Sequence, residues 1–109
     1  MVGVRLYLAQ RLSAMIMAPL VLVHLVVVIY AVQDGIDAHE ILTRTRGSVW
    51  WATMYGLLVA AASVHAAIGL RVIIHEHSEI TALPLNILTW IIGLALLTMG
   101  SRAVIAVTL

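Results

Sequence analysis

Three long stretches without a charged side chain decide what this chain can fold into. They lie between Arg11 and Asp34, between Arg46 and Arg71, and between Glu79 and Arg102. Each exceeds the roughly 20 apolar residues that carry a helix across the hydrocarbon of a bilayer. In that medium every backbone amide must find its partner within the protein. The stretches also lack the apolar-polar alternation of barrel strands, so they predict helices. Composition agrees: of 109 residues 63% are hydrophobic, 10% are charged and none is Lys, far less charge than a soluble domain carries.

The predicted fold is all-α, an integral membrane three-helix bundle running up, down and up through a single transmembrane domain that takes in residues 1–109. The helices are expected at about Leu12 to Val32, Ser48 to Ile74 and Leu85 to Gly100, with two short connections. The first is too long for the apolar core of a signal peptide. Val32, Gln33 and Asp34 after it do not form a small-residue cleavage site, so it is expected to remain in the mature protein. Pro19 is a candidate kink. Asp34 to Arg46 reads as a polar loop opened by an Asp-Gly turn. Tyr30, Trp50 and Trp51 mark one membrane–water boundary, where amphipathic rings are favoured. Arg5, Arg11 and Arg71 fall on one side and Arg44, Arg46 and Arg102 on the other, so counting positive charges leaves the orientation undecided.

A net charge of +1 offers no basic patch for a nucleic-acid partner. The absence of Cys excludes an iron–sulfur cluster, a c-type haem or a disulfide held by this chain. Any redox role therefore rests on histidine and a non-covalent cofactor.

His24 and His65 both lie inside apolar stretches, where an ionisable side chain is expensive and marks a functional candidate. Each imidazole either hydrogen-bonds across helices or ligates a cofactor. Ala61, Ala62 and Gly69 lie three or four residues from His65 and share its helical face. A face so bare suits a flat macrocycle whose iron the imidazole reaches, and it also suits close helix packing. On the first helix Gln10, Ser13, Met17 and His24 form a polar seam, suited to a cofactor, to a quinone or to burial against a partner helix. Arg11 and Arg71 end their helices on the same side. Their guanidinium groups can pair with haem propionates, donate to a quinone carbonyl, or snorkel to lipid headgroups. His75, Glu76 and His77 form an alternating run that reads as a solvated cap before it reads as a metal site.

The string H-A-A-I-G-L-R, from His65 through Gly69 to Arg71, resembles the H-x-x-x-G-x-R motif of the cytochrome b-type anchor subunits of succinate dehydrogenase and fumarate reductase. Q-R-L-S-A, from Gln10 to Ala14, resembles that family's H-R-x-S-G segment at the quinone site. The likeness covers the first two helices. It implies that His65, in a motif completed by Gly69 and Arg71, is an axial ligand of haem b. It further implies that Arg11 contributes to a quinone pocket, and Ser13 and Tyr7 are expected to bind quinone beside it. The family commonly has His directly after the motif's Arg. This chain has Val72 there, so that propionate contact does not carry over, while the acid four residues further on is matched by Glu76. The seam from Gln10 to His24 is also similar to the first helix of di-haem fumarate reductase anchors, which implies a second haem at His24.

The implied assembly is a succinate:quinone oxidoreductase in a bacterial cytoplasmic membrane. A flavoprotein carries the dicarboxylate chemistry, an iron–sulfur protein relays electrons, and a second anchor completes one or two haem sites shared with this chain. The competing expectation is a haem-free structural or transport subunit in which the histidines serve packing, proton relay or metal handling. If Arg11 and Arg71 stand level, His24 and His65 differ in depth by about 10 Å along the helices and serve different haems.

Overall fold

The computed structural model of the chain describes residues 3–109. Its helices are α1 (Val4–Gln33), α2 (Ala38–Thr45), α3 (Val49–His77) and α4 (Ala82–Thr108). The long ones, α1, α3 and α4, are the three apolar spans. All three run beyond an expected end, since α1 begins at Val4 rather than Leu12, α3 continues to His77 rather than Ile74, and α4 runs from Ala82 to Thr108 rather than from Leu85 to Gly100. The reason is physical. Charge-free length measures the hydrocarbon crossing, whereas a helix goes on gaining backbone hydrogen bonds in the headgroup zone, where Arg5 and Arg102 cost little. A helix of 30 residues is about 45 Å long and overshoots a hydrocarbon core of about 30 Å. Pro19 lies within α1 without ending it.

The segment expected to be a loop contains α2. The Asp37 carboxylate accepts the Glu40 N–H at 2.9 Å and the Glu40 carboxylate accepts the Asp37 N–H at 3.3 Å, a reciprocal cap that starts a helix in polar surroundings. Gly35 and Gly47 bracket α2 with φ of +66° and +75°, left-handed values that glycine adopts without a Cβ clash. At its far end the buried Thr45 donates its hydroxyl to the Val107 carbonyl at 2.6 Å, and the Gly47 N–H donates to the Thr108 carbonyl at 2.8 Å. Both bonds satisfy carbonyls that the last turn of α4 leaves open.

The central helix is α3, with α1 and α4 packed on it and barely meeting each other. Glycines in α4 set the approach. A Cβ on Gly100 would lie 2.5 Å from Val59 Cγ1, and one on Gly93 would lie 3.4 Å from the Ala67 Cβ. Small residues drive helix association in lipid because they let backbones close up and gain dispersion contacts. Ala61, Ser63, Ala67 and Ile68 are accordingly the buried residues of α3. Only Ser13 is buried in α1, and its large apolar side chains, Leu22 and Val26 among them, face outward. That outer surface suits lipid or another apolar helix.

Candidate functional site

Two segments far apart in sequence meet across α1 and α3. The Ser13 hydroxyl stands 3.4 Å from His65 Nδ1 and 2.9 Å from the Gln10 carbonyl oxygen. The Gln10 amide nitrogen would lie 3.4 Å from a Cβ added at Gly69. The seam of Gln10 and Ser13 thus packs on the face of His65 and Gly69, joining the two motifs at one level. Ser13 is 5% exposed while the His65 ring is half-buried. Gln10 Oε1 is buried without a hydrogen-bond partner among the described residues, a costly arrangement for an amide oxygen in an apolar setting. At Gly69 the bare face expected for a macrocycle is therefore filled from within the chain, by Gln10.

His24 occupies a second level. Its ring meets the Tyr55 ring edge-on with centroids 5.6 Å apart, and Tyr55 stacks on Trp51 at 5.4 Å. His24 is otherwise exposed on the outer surface of α1. It borders a groove of about 420 Å³ between α1, α3 and α4, in which Tyr55, Val59, Gly100 and Thr45 take part. Tyr55 is a neighbour that the sequence reading missed. It carries no motif, and only the helix register pairs it with His24.

That register also revises the depths. With α1 and α3 antiparallel, Ser13 stands opposite His65 and His24 opposite Tyr55, so the two histidines are separated by about 16 Å along the bundle. The expected 10 Å assumed that Arg11 and Arg71 stand level. In fact Arg71 lies about one helical turn further out, opposite the residues near Tyr7.

The arginines also part company laterally. Arg71 donates to the Asn86 side-chain oxygen on α4. It closes one end of a groove of about 380 Å³, floored by Ala60, Ser63, Ala67 and Gly93 and bordered by Trp90, a groove in which His65 takes no part. Asn86 is a second residue the sequence reading did not single out, although an amide near the start of an apolar helix was the available signal. Arg11 is exposed on α1, as is Tyr7 one turn before it. At the far boundary the Arg44 guanidinium lies 5.8 Å from the centre of the Tyr30 ring, which agrees with an aromatic residue at the headgroup level. His77 donates from Nδ1 to the Ile73 carbonyl at 2.9 Å, an end-of-helix bond. Among the described residues no three His, Cys, Asp or Glu side chains converge on one point.

The candidate site therefore consists of a half-buried imidazole contacted by α1, a second, exposed imidazole further along the bundle, and two separated arginines on one side. No curated protein and no solved structure matches the chain. The family model described as succinate dehydrogenase/fumarate reductase transmembrane subunit matches residues 1–101, and so takes in α1, α2, α3 and most of α4. A match over nearly the whole chain, on a bundle of three apolar spans, means that this protein belongs to the succinate dehydrogenase/fumarate reductase transmembrane subunit family.

Proposed function

We propose that the chain is the haem-ligating, quinone-facing anchor of a succinate:quinone oxidoreductase in a bacterial cytoplasmic membrane. It would assemble with a second anchor, an iron–sulfur subunit and a flavoprotein subunit. The observation that carries this reading is the meeting of Ser13 and His65 across α1 and α3 at 3.4 Å, because it joins the two segments the family uses.

His65 fits the role of a haem ligand. Nδ1 is engaged by Ser13, Nε2 makes no hydrogen bond among the described residues, and the ring is only half-buried. A neutral imidazole held through one nitrogen and free at the other is the usual form of a histidine that binds metal. The chain presents one imidazole at each level, so any further ligand would come from the second anchor. His24 would ligate a second haem 16 Å or so deeper, its outward exposure leaving room for that partner. A haem bound at His65 supplies a one-electron store between the iron–sulfur subunit and the quinone.

Quinone binding falls to the exposed side of α1. The Arg11 guanidinium donates to a quinone carbonyl oxygen and stabilises the negative charge that builds there on reduction. The Tyr7 hydroxyl lies one turn away, towards the membrane surface, where it can hand a proton to that oxygen. Ser13 supports this wall from behind, since its hydroxyl is buried against α3. Arg71 supplies positive charge on the same side of the membrane, at the α3–α4 groove.

One observation favours a second reading. Gln10 closes the notch at Gly69, and a serine partner would satisfy His65 in a haem-free structural subunit. The visible spectrum of the purified complex separates the two. The haem reading expects Soret and α bands of a bis-histidine centre, with reduced-minus-oxidised haem at one or two per flavin. A flavin-loaded complex without those bands supports the haem-free subunit.

A further inference from the structure

We propose that Ser13 is a positioning residue that holds His65 in the tautomer protonated at Nδ1 and so presents the Nε2 lone pair as the iron ligand. The proposal rests on the haem reading above for the identity of the metal, but the tautomer itself follows from hydrogen bookkeeping within α1 and α3.

A serine hydroxyl has one hydrogen to donate and two lone pairs to accept with. Ser13 Oγ lies 2.9 Å from the Gln10 carbonyl oxygen and 3.4 Å from His65 Nδ1. A carbonyl oxygen only accepts, so the shorter contact takes the hydroxyl hydrogen, as serines within helices commonly donate to the preceding turn. The oxygen then faces Nδ1 with lone pairs only. For that contact to be attractive the hydrogen must sit on Nδ1, and a neutral imidazole protonated there carries an unshared pair at Nε2. Ser13 is 5% exposed, so its hydroxyl is committed to these two contacts within the bundle. The reverse tautomer would set two lone-pair atoms against each other and leave an N–H at Nε2 that no metal ion can satisfy.

Ser13 therefore acts on iron through His65, without touching the cofactor. Accepting from Nδ1–H makes the imidazole a stronger donor and fixes its ring plane. Second-sphere partners of this kind typically alter metal affinity by about 10–100-fold. The register supports the assignment. Gln10, the residue whose carbonyl takes the serine hydrogen, also lays its side chain against Gly69, one turn beyond His65, so the same turn of α1 sets both the height of the hydroxyl and the rotation of α3 beneath it.

The test has two arms. The first uses the full chain without haem in lipid nanodiscs, labelled with nitrogen-15 at histidine and assigned against His65→Gln. Wild-type His65 is expected to show the hydrogen on Nδ1, Ser13→Ala to shift it to Nε2, and Ser13→Thr to restore Nδ1. A wild-type His65 protonated at Nε2, or a Ser13→Ala chain with an unchanged tautomer, overturns the proposal. The second arm measures the haem midpoint potential in the assembled complex. Ser13→Ala should raise it and weaken haem retention by about 10–100-fold, and Ser13→Thr should bring both back. Equal potentials in wild type and Ser13→Ala overturn the role towards iron. A wild-type complex without haem defeats the underlying reading alone, because the first arm needs no haem and still decides the tautomer.

Discussion

The His65 and His24 levels contain the same side chain in the same kind of apolar helix, yet the fold treats them differently. His65 on α3 is half-buried and held by a hydroxyl from α1, whereas His24 on α1 is exposed and packs edge-to-face with the Tyr55 ring. An imidazole facing hydrocarbon without a polar partner is costly. On the proposed reading, the contrast separates an imidazole oriented within the chain from one left open to a second subunit. It also means that damage at the two levels should have different consequences.

The largest expected effect is at His65. Replacing it with Leu should remove the haem of that level altogether, read as loss of the corresponding redox transition and of haem per flavin. A complex retaining its full haem content would end the assignment of His65. His24→Leu should remove one of two resolved transitions and leave the other. Should wild type contain one haem per flavin, the two-level comparison collapses, with His24 reduced to a packing residue beside Tyr55. The isolated chain sharpens the same point, because with one imidazole per level it should not hold stoichiometric low-spin haem. A bis-histidine spectrum from the isolated monomer at stoichiometric haem would mean that two of its own histidines reach one iron, against the separation of about 16 Å.

Arg11→Ala should give a smaller, selective loss. Quinone reduction should fall by about 10-fold or more, as expected when a charged hydrogen bond of about 1.5–3 kcal/mol is lost, while succinate oxidation by a soluble dye should stay near wild type. Equal loss in both assays would trace the defect to assembly. The smallest effects are structural and lie across the groove that His24 borders. Gly100→Val should destabilise the bundle by about 1–3 kcal/mol, because its Cβ would press on Val59 and cores resist added volume. Thr45→Val should cost about 1 kcal/mol by removing the bond to the Val107 carbonyl. Both are measurable as lowered midpoints of unfolding in detergent.

How much of this was legible in the sequence varies with the range of the interaction. Charge-free length was enough for the three spans, since transfer to hydrocarbon depends on composition over 20 or so residues and on little else. The same criterion misplaced the ends of α1 and α4, where helix persists into polar surroundings. It also passed over α2, although Asp37 and Glu40 carry the spacing of a reciprocal cap. The motif strings were visible as well, from Gln10 to Ala14 and from His65 to Arg71.

The sequence by itself determined a membrane bundle with two intramembrane histidines and arginines near the ends of its helices, because those properties follow from residue identity and local periodicity. Only the tertiary structure decided which of them meet. The pairing of Ser13 with His65, of His24 with Tyr55 and of Arg71 with Asn86 depends on how far α1 and α4 slide and turn on α3. A slide of one helical turn moves each partner by about 5 Å and exchanges the residues that face each other. Small side chains at Gly69, Gly93 and Gly100 lock that register. Their effect is a sum of close contacts between helices, which no stretch of a single helix contains.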